Sequence, residues 1–150
     1  LNFNTNEFSS AITDASLSRV KKTIKDRINF LKKLNILLKK TKTCFIQNEK
    51  FDLFSPFYVS ISVRINLLRV NKLKFANELK EENVPLLASY GCVISEWNWA
   101  KKFVNDKFIT KNALDYKNKS FNLFLNENYS QREANFIFKK ILKIEEKYLK

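Results

Sequence analysis

Histidine and methionine are absent from this chain, glycine occurs once, and proline and cysteine occur twice each. Each shortage removes a class of chemistry. Without His there is no Ser–His or Cys–His nucleophile pair. A zinc site would have to recruit carboxylates around Cys44 and Cys92, which lie far apart and form no CxxC pair. No metal is expected, and the two thiols read as reduced core residues of a cytoplasmic protein. A lone Gly argues against a glycine-rich phosphate loop within the chain. No stretch reaches the roughly 18 apolar residues of a membrane-spanning helix, and the N-terminus lacks a signal-peptide pattern, so no membrane partner is expected. The missing Met, at position 1 as elsewhere, makes a C-terminal piece of a longer protein the expectation.

What is present is a folding composition. The 150 residues are 45% hydrophobic and include 14 Phe, enough for one domain with a real core. The net charge of +13 raises the possibility of a nucleic-acid partner. The basic residues are mostly Lys and run along the whole length, whereas an electrostatic footprint needs clustering. Compositional bias is the better account, and nucleic acid is not the expected partner.

Apolar residues recur at helical spacing from Glu7 to about Lys40: Phe8, Ile12, Ala15, Val20, Ile24, Ile28, Leu31, Leu34 and Leu38. Asn4 is the expected N-cap, with Glu7 reaching back. One helix of this length would span roughly 50 Å. Ser16 and Ser18 mark a bend, so a pair of consecutive helices fits equally well. Cys44–Ile46 fits a short strand, and Phe57–Val63 alternates large apolar with small polar residues, which predicts a strand with one buried face. Asn71 opens a helix to about Glu82, with Leu73, Ala76 and Leu79 inward and Asn83 as its left-handed stop. Val84–Ala88 reads as an edge strand because Pro85 cannot donate to a central ladder. Ser89–Thr110, with Trp97, Trp99 and Phe103, fits a short helix or an ordered loop. Ser120–Leu125 is a further strand. Ser130-Gln131-Arg132-Glu133 is a capping box opening a last helix, with Ala134, Ile137, Ile141, Ile144 and Tyr148 on one face. The expected fold class is α+β: a long N-terminal helix or helix pair, then a small sheet of about three strands packed with helices.

Three blocks carry a resemblance to a known family. In the first, Asn2, Phe3, Glu7, Phe8, Ala11, Leu17 and Arg19 follow a pattern of Asn-aromatic-Arg, Glu-aromatic, paired alanines and a Leu-x-Arg turn, with Asn4 in place of Arg and Ser10 in place of the first Ala. The second runs from Leu79 through Asn83-Val84-Pro85 and Tyr90-Gly91-Cys92 to Trp97–Phe103. The third joins Asn112-Ala113 to Ser120–Tyr129, with Phe124 where Pro is usual and Asn126 where His is usual. In this order they resemble the C-terminal portion of the DegT/StrS-type sugar aminotransferases, which depend on pyridoxal 5'-phosphate (PLP).

The resemblance implies that residues 1–40 are a helical linker from a large domain not contained here and that residues 41–150 are a small C-terminal α+β domain. It implies a homodimer that moves an amino group from an amino acid, glutamate or glutamine, to a keto sugar, nucleotide-linked, in sugar or cell-surface polysaccharide biosynthesis. The Schiff-base lysine would lie outside this chain, leaving the chain by itself inactive and without a catalytic residue of its own. Asn2 would reach the cofactor phosphate of the other subunit; from its chemistry alone the better reading is a simple turn or cap Asn, and the resemblance reverses that. Tyr90 and Trp97 fall in the pocket-loop region, where aromatics stack on a sugar or base, and Asn126 is placed to hydrogen-bond a sugar hydroxyl. As plain residues these three read as core aromatics and a strand-end Asn. Two other functions compete: a basic nucleic-acid-binding module and a non-catalytic dimerisation domain.

Overall fold

The chain enters through one continuous 32-residue helix, α1 (Glu7–Leu38). The computed structural model describes residues 6–53, 56–103 and 110–150. The hydroxyls expected to bend α1 instead bond back along it. Ser16 donates to the Ile12 carbonyl at 2.7 Å and Ser18 to that of Ala15 at 2.8 Å, which satisfies them inside the helix. The N-cap is Asn6 rather than Asn4: the Asn6 Oδ1 accepts from the Ser9 N–H at 2.7 Å. Asn4, and Asn2 with it, lie outside the described residues.

Beyond α1 come β1 (Cys44–Phe45), β2 (Tyr58–Val63), α2 (Lys72–Glu81), β3 (Leu86–Leu87), α3 (Lys111–Lys119), β4 (Ser120–Phe124) and α4 (Gln131–Tyr148). The strands form one antiparallel sheet in the order β1-β2-β4-β3. The fold class is α+β as expected, with four strands where about three were anticipated. β3 is the edge strand expected at Pro85. β2 is joined to β1 by residues 46–57 and to β4 by residues 64–119, so long connections, not tight hairpins, bring the strands together.

The core lies between one sheet face and the helices α1, α2 and α4. Ile61 and Phe121 are direct cross-strand partners, as are Val59 and Leu123, and Ile61, Phe121 and Leu123 are fully buried. Phe30, Leu31, Leu34 and Leu38 from the second half of α1 pack into this core with Ile137, Ile141 and Ile144 of α4. The first half does not: Phe8 is 74% exposed and Leu17 62% exposed, while Leu34 is fully covered.

Local chemistry sets the ends of the helices. Asn71 caps α2 by accepting from the Lys74 N–H at 2.9 Å. At the other end Asn83 adopts φ 63°, with its N–H on the Lys80 carbonyl and the Val84 N–H on that of Leu79. That pair of bonds is a Schellman motif, and Asn tolerates its left-handed position. The Ser130–Glu133 capping box forms as expected. The inward face of α2 differs from the expectation at one position. Leu73 is 47% exposed, and Lys72, Phe75, Ala76 and Leu79 are buried. Positions 72, 75, 76 and 79 follow the i, i+3, i+4, i+7 spacing of one helix face, which Leu73 does not share.

A buried carboxylate ties the last helix to the turn that follows α1. Glu145 of α4 accepts from the backbone N–H groups of Lys42 and Thr43 and from the Thr43 hydroxyl. It thereby fixes the turn between α1 and β1.

Candidate functional site

The second face of the sheet is polar. Tyr58, Ser60 and Ser62 of β2 alternate with the core residues, and their direct partners on β4 are Phe124, Asn122 and Ser120. Helix α3 lies across this face. No α3 residue is fully buried, which is why its pattern carried little signal in the sequence. Between helix and sheet are two adjoining hollows of about 340 and 360 Å³. They share Tyr58, Ser60 and Tyr116 and make a continuous trough. One end is walled by Tyr90, Cys92, Asn122 and Lys117, the other by Gln47, Asn48 and Phe57.

The polar sheet face contains unspent hydrogen-bonding capacity, and Ser60 brings it to the trough floor. The hydroxyls of Ser60 and Ser62 are buried and have no hydrogen-bond partner among the described residues. Leaving a buried hydroxyl unpaired costs about 1–3 kcal/mol, so a polyhydroxylated ligand over Ser60 would recover part of that. Lys117 at the rim is ion-paired with Glu96. Tyr90 has its phenol pushed above the ordinary range, first by hydrogen bonding with Cys92 and electrostatic interaction with it, then by burial and by Tyr58. It is therefore a neutral donor at physiological pH.

The expected site residues do not all meet. Tyr90 lines the trough. Trp97 stands behind the same loop, where its Nε1 donates to the Gly91 carbonyl at 2.9 Å and its ring stacks on Trp99. Asn126 lines neither hollow. Its Oδ1 accepts from the Asn128 N–H at 2.9 Å, closing an Asx turn beside the Arg27–Glu127 ion pair. Ser60, Asn122 and Tyr116 were not singled out in the sequence. The available signal was polar residues at alternate positions of both strands, with Asn122 at an interior strand position that Asn seldom takes.

Two lysines come near the site, and neither offers a cofactor a free amine. Lys72 is 5% exposed and donates to the Ala88 carbonyl at 2.7 Å. Burial lowers its pKa, helped by the Lys117 charge. Its bond holds the start of the loop that carries Tyr90. Lys117 is committed to Glu96. Among the described residues no group of three or more His, Cys, Asp or Glu could hold a metal ion. No described helix is long and apolar enough to cross a membrane.

The fold has clear relatives. The chain is similar to Helicobacter pylori PseC, an aminotransferase involved in the biosynthesis of pseudoaminic acid, with a TM-score of 0.80 and 14% identity over 98% of this chain and 39% of that one. It is similar to the aminotransferase from Psychrobacter cryohalolentis, with a TM-score of 0.78 and 13% identity over 97% of this chain and 40% of that one. A third likeness is to a GDP-4-keto-6-deoxymannose-3-dehydratase with a trapped PLP-glutamate geminal diamine, with a TM-score of 0.75 and 15% identity over 94% of this chain and 37% of that one. The chain thus spans only 37–40% of the length of these proteins. No curated protein matches it. The family model for DegT/DnrJ/EryC1/StrS aminotransferases matches residues 1–142, nearly the whole chain. The chain belongs to the DegT/DnrJ/EryC1/StrS aminotransferase family.

Proposed function

We infer that this chain is the C-terminal part of a PLP-dependent sugar aminotransferase. The observation that carries the reading is the family match over residues 1–142. The exposed apolar side of α1, with Phe8, Ile12, Leu17 and Val20, supports it: this domain leaves those side chains uncovered. Residues 1–40 would connect to a large domain, the last turns of α1 being shared with the core of the small domain at residues 41–150. The working unit would be a cytoplasmic homodimer.

In this reading glutamate or glutamine supplies the amino group and a nucleotide-linked keto sugar receives it, toward sugar or cell-surface polysaccharide biosynthesis. Bound PLP would supply an electron sink for the transfer, on a lysine outside this chain. The chain's own residues would do the positioning. Asn2 would donate its amide to the cofactor phosphate of the other subunit. Tyr90 would donate a hydrogen bond to a sugar oxygen in the trough, and Ser60 and Asn122 would pair with neighbouring hydroxyls. Trp97, bonded to the Gly91 carbonyl, would hold the loop that carries Tyr90, and Asn126, outside the trough, would keep its turn at the end of β4.

The test compares two proteins. The full-length product of the gene, given PLP, glutamate and a nucleotide-linked keto sugar, should release 2-oxoglutarate. The 150-residue chain should release none, and borohydride reduction in the presence of PLP should leave no site-specific lysine adduct. One stoichiometric adduct on the chain would overturn the reading.

A further inference from the structure

Lys72 stands where packing would favour an apolar side chain. It opens α2 on the same face as Phe75, Ala76 and Leu79, which are fully buried, and it is itself only 5% exposed. No carboxylate pairs with its ammonium among the described residues. Burial, and then the like charge of Lys117, hold its pKa below the ordinary value. A buried charge without a counter-ion weakens a fold, and an apolar side chain of similar volume packs at no such cost. Positions that break a local rule of this kind are where function sets the choice of residue.

The ammonium donates to the Ala88 carbonyl at 2.7 Å. The β3–β4 ladder ends one residue earlier, at the Leu87–Asn122 pair, so Ala88 has already left the sheet. From there to Cys92 the chain is neither helix nor strand, and residues 89–92 make no backbone–backbone hydrogen bond among the described residues. Side chains hold this stretch instead. Trp97 Nε1 donates to the Gly91 carbonyl at 2.9 Å, which closes the loop on itself, and Glu96 ties its far end to Lys117 of α3. The Lys72 bond anchors the stretch ahead of Tyr90 to the body of the domain. Tyr90 thus lies between two held carbonyls, in the wall of the trough.

We propose that Lys72 is a positioning residue of the amino transfer. It touches no substrate. It acts through the Ala88 carbonyl, setting where Tyr90 stands over the trough so that the phenol meets a sugar oxygen. This role rests on the reading of Tyr90 as a donor to the sugar. Hydrogen bonds weaken steeply with misalignment, so a slackened loop is felt at the substrate even where the fold is intact. The buried charge is kept for the site, at the expense of the core.

The test uses the full-length protein. Lys72→Met keeps an unbranched apolar side chain and removes the charge. KM for the keto sugar should rise about two- to tenfold, as for a lost neutral hydrogen bond. The half-reaction with the amino donor, followed by absorbance, should keep its rate, because no sugar takes part in it. Lys72→Arg, which retains a charged donor, should restore most of the sugar KM. Thermal melting of Lys72→Met should match or exceed the parent. In a Tyr90→Phe background, Lys72→Met should add little further rise in KM, since the contact it positions is already gone. An unchanged sugar KM, additive losses with Tyr90→Phe, or equal losses in both half-reactions would overturn the proposal. So would a Lys72→Met protein that fails to fold, which would assign the residue to stability. A parent that transfers no amino group would instead remove the aminotransferase reading. The anchor is then decided by alkylation of the exposed Cys92, mapped on peptides by mass spectrometry. Faster labelling in Lys72→Met keeps the anchor, and an equal rate overturns it.

Discussion

Ser60 of β2 and Asn122 of β4 are direct partners across the centre of the sheet, on the face turned away from the apolar core. Two residues distant in sequence thus share the floor of one trough, and the Ser60 hydroxyl has no partner among the described residues. Its neighbour on the same strand face, Ser62, is in the same position and only 2% exposed.

Ser62→Ala should therefore not destabilise the fold. Removing a buried hydroxyl that lacks a partner relieves its desolvation cost, so urea denaturation should show a change between zero and about 1 kcal/mol in favour of the variant. A loss of more than about 1 kcal/mol would mean that the hydroxyl is bonded in solution.

Glu145 predicts the opposite sign. It accepts from the Lys42 and Thr43 backbone and is 5% exposed. Glu145→Ala leaves those donors without an acceptor and should cost about 2–3 kcal/mol. Glu145→Gln keeps one acceptor oxygen and should cost less. Equal losses in both variants, measured by denaturant titration, would show that packing rather than acceptance matters at this position.

Acid stability should depend on Glu82. Hydrogen bonds from Lys140 and Lys143 hold its carboxyl at about 2, against an ordinary value of 4.5. A depressed folded pKa contributes stability above the unfolded value and loses it as pH falls toward the folded one. The contribution should be intact above pH 4.5 and disappear between there and about pH 2. Thermal melting across that window should fall less steeply for Glu82→Gln than for the parent chain.

At the head of the chain, Asn2 and Asn6 should separate cofactor binding from helix stability. In the full-length dimer, Asn2→Ala removes a proposed donor to an anion, and PLP affinity should drop about ten- to a hundredfold. Asn6→Ala removes the cap of α1 and should lower stability by about 1 kcal/mol with little effect on PLP. Absorbance titration and thermal melting on both variants distinguish the two roles. Loss of PLP in Asn6→Ala with none in Asn2→Ala would exchange them.

Signals confined to a few neighbouring residues determined much of the architecture. The Asn71 cap, the left-handed stop at Asn83, the Ser130–Glu133 box and the alternation along Tyr58–Val63 could all be read directly, because a cap or a strand face is settled within about one turn or one strand. The same locality made the three family blocks legible in order. Whether an apolar residue is covered is not local. Leu73 and Phe75 are both apolar members of one helix, and only Phe75 meets the core. Phe8 and Leu34 belong to one periodic pattern on α1, but the rest of this domain reaches only the second. The site follows the same division. Tyr90 could be named from its block, whereas the meeting of Ser60 with Asn122 required the register between β2 and β4. The separation of Asn126 from the trough was decided by the Asx turn that closes β4. Those outcomes depend on which surfaces the long connections bring together, and no window along the sequence contains both sides of such a contact.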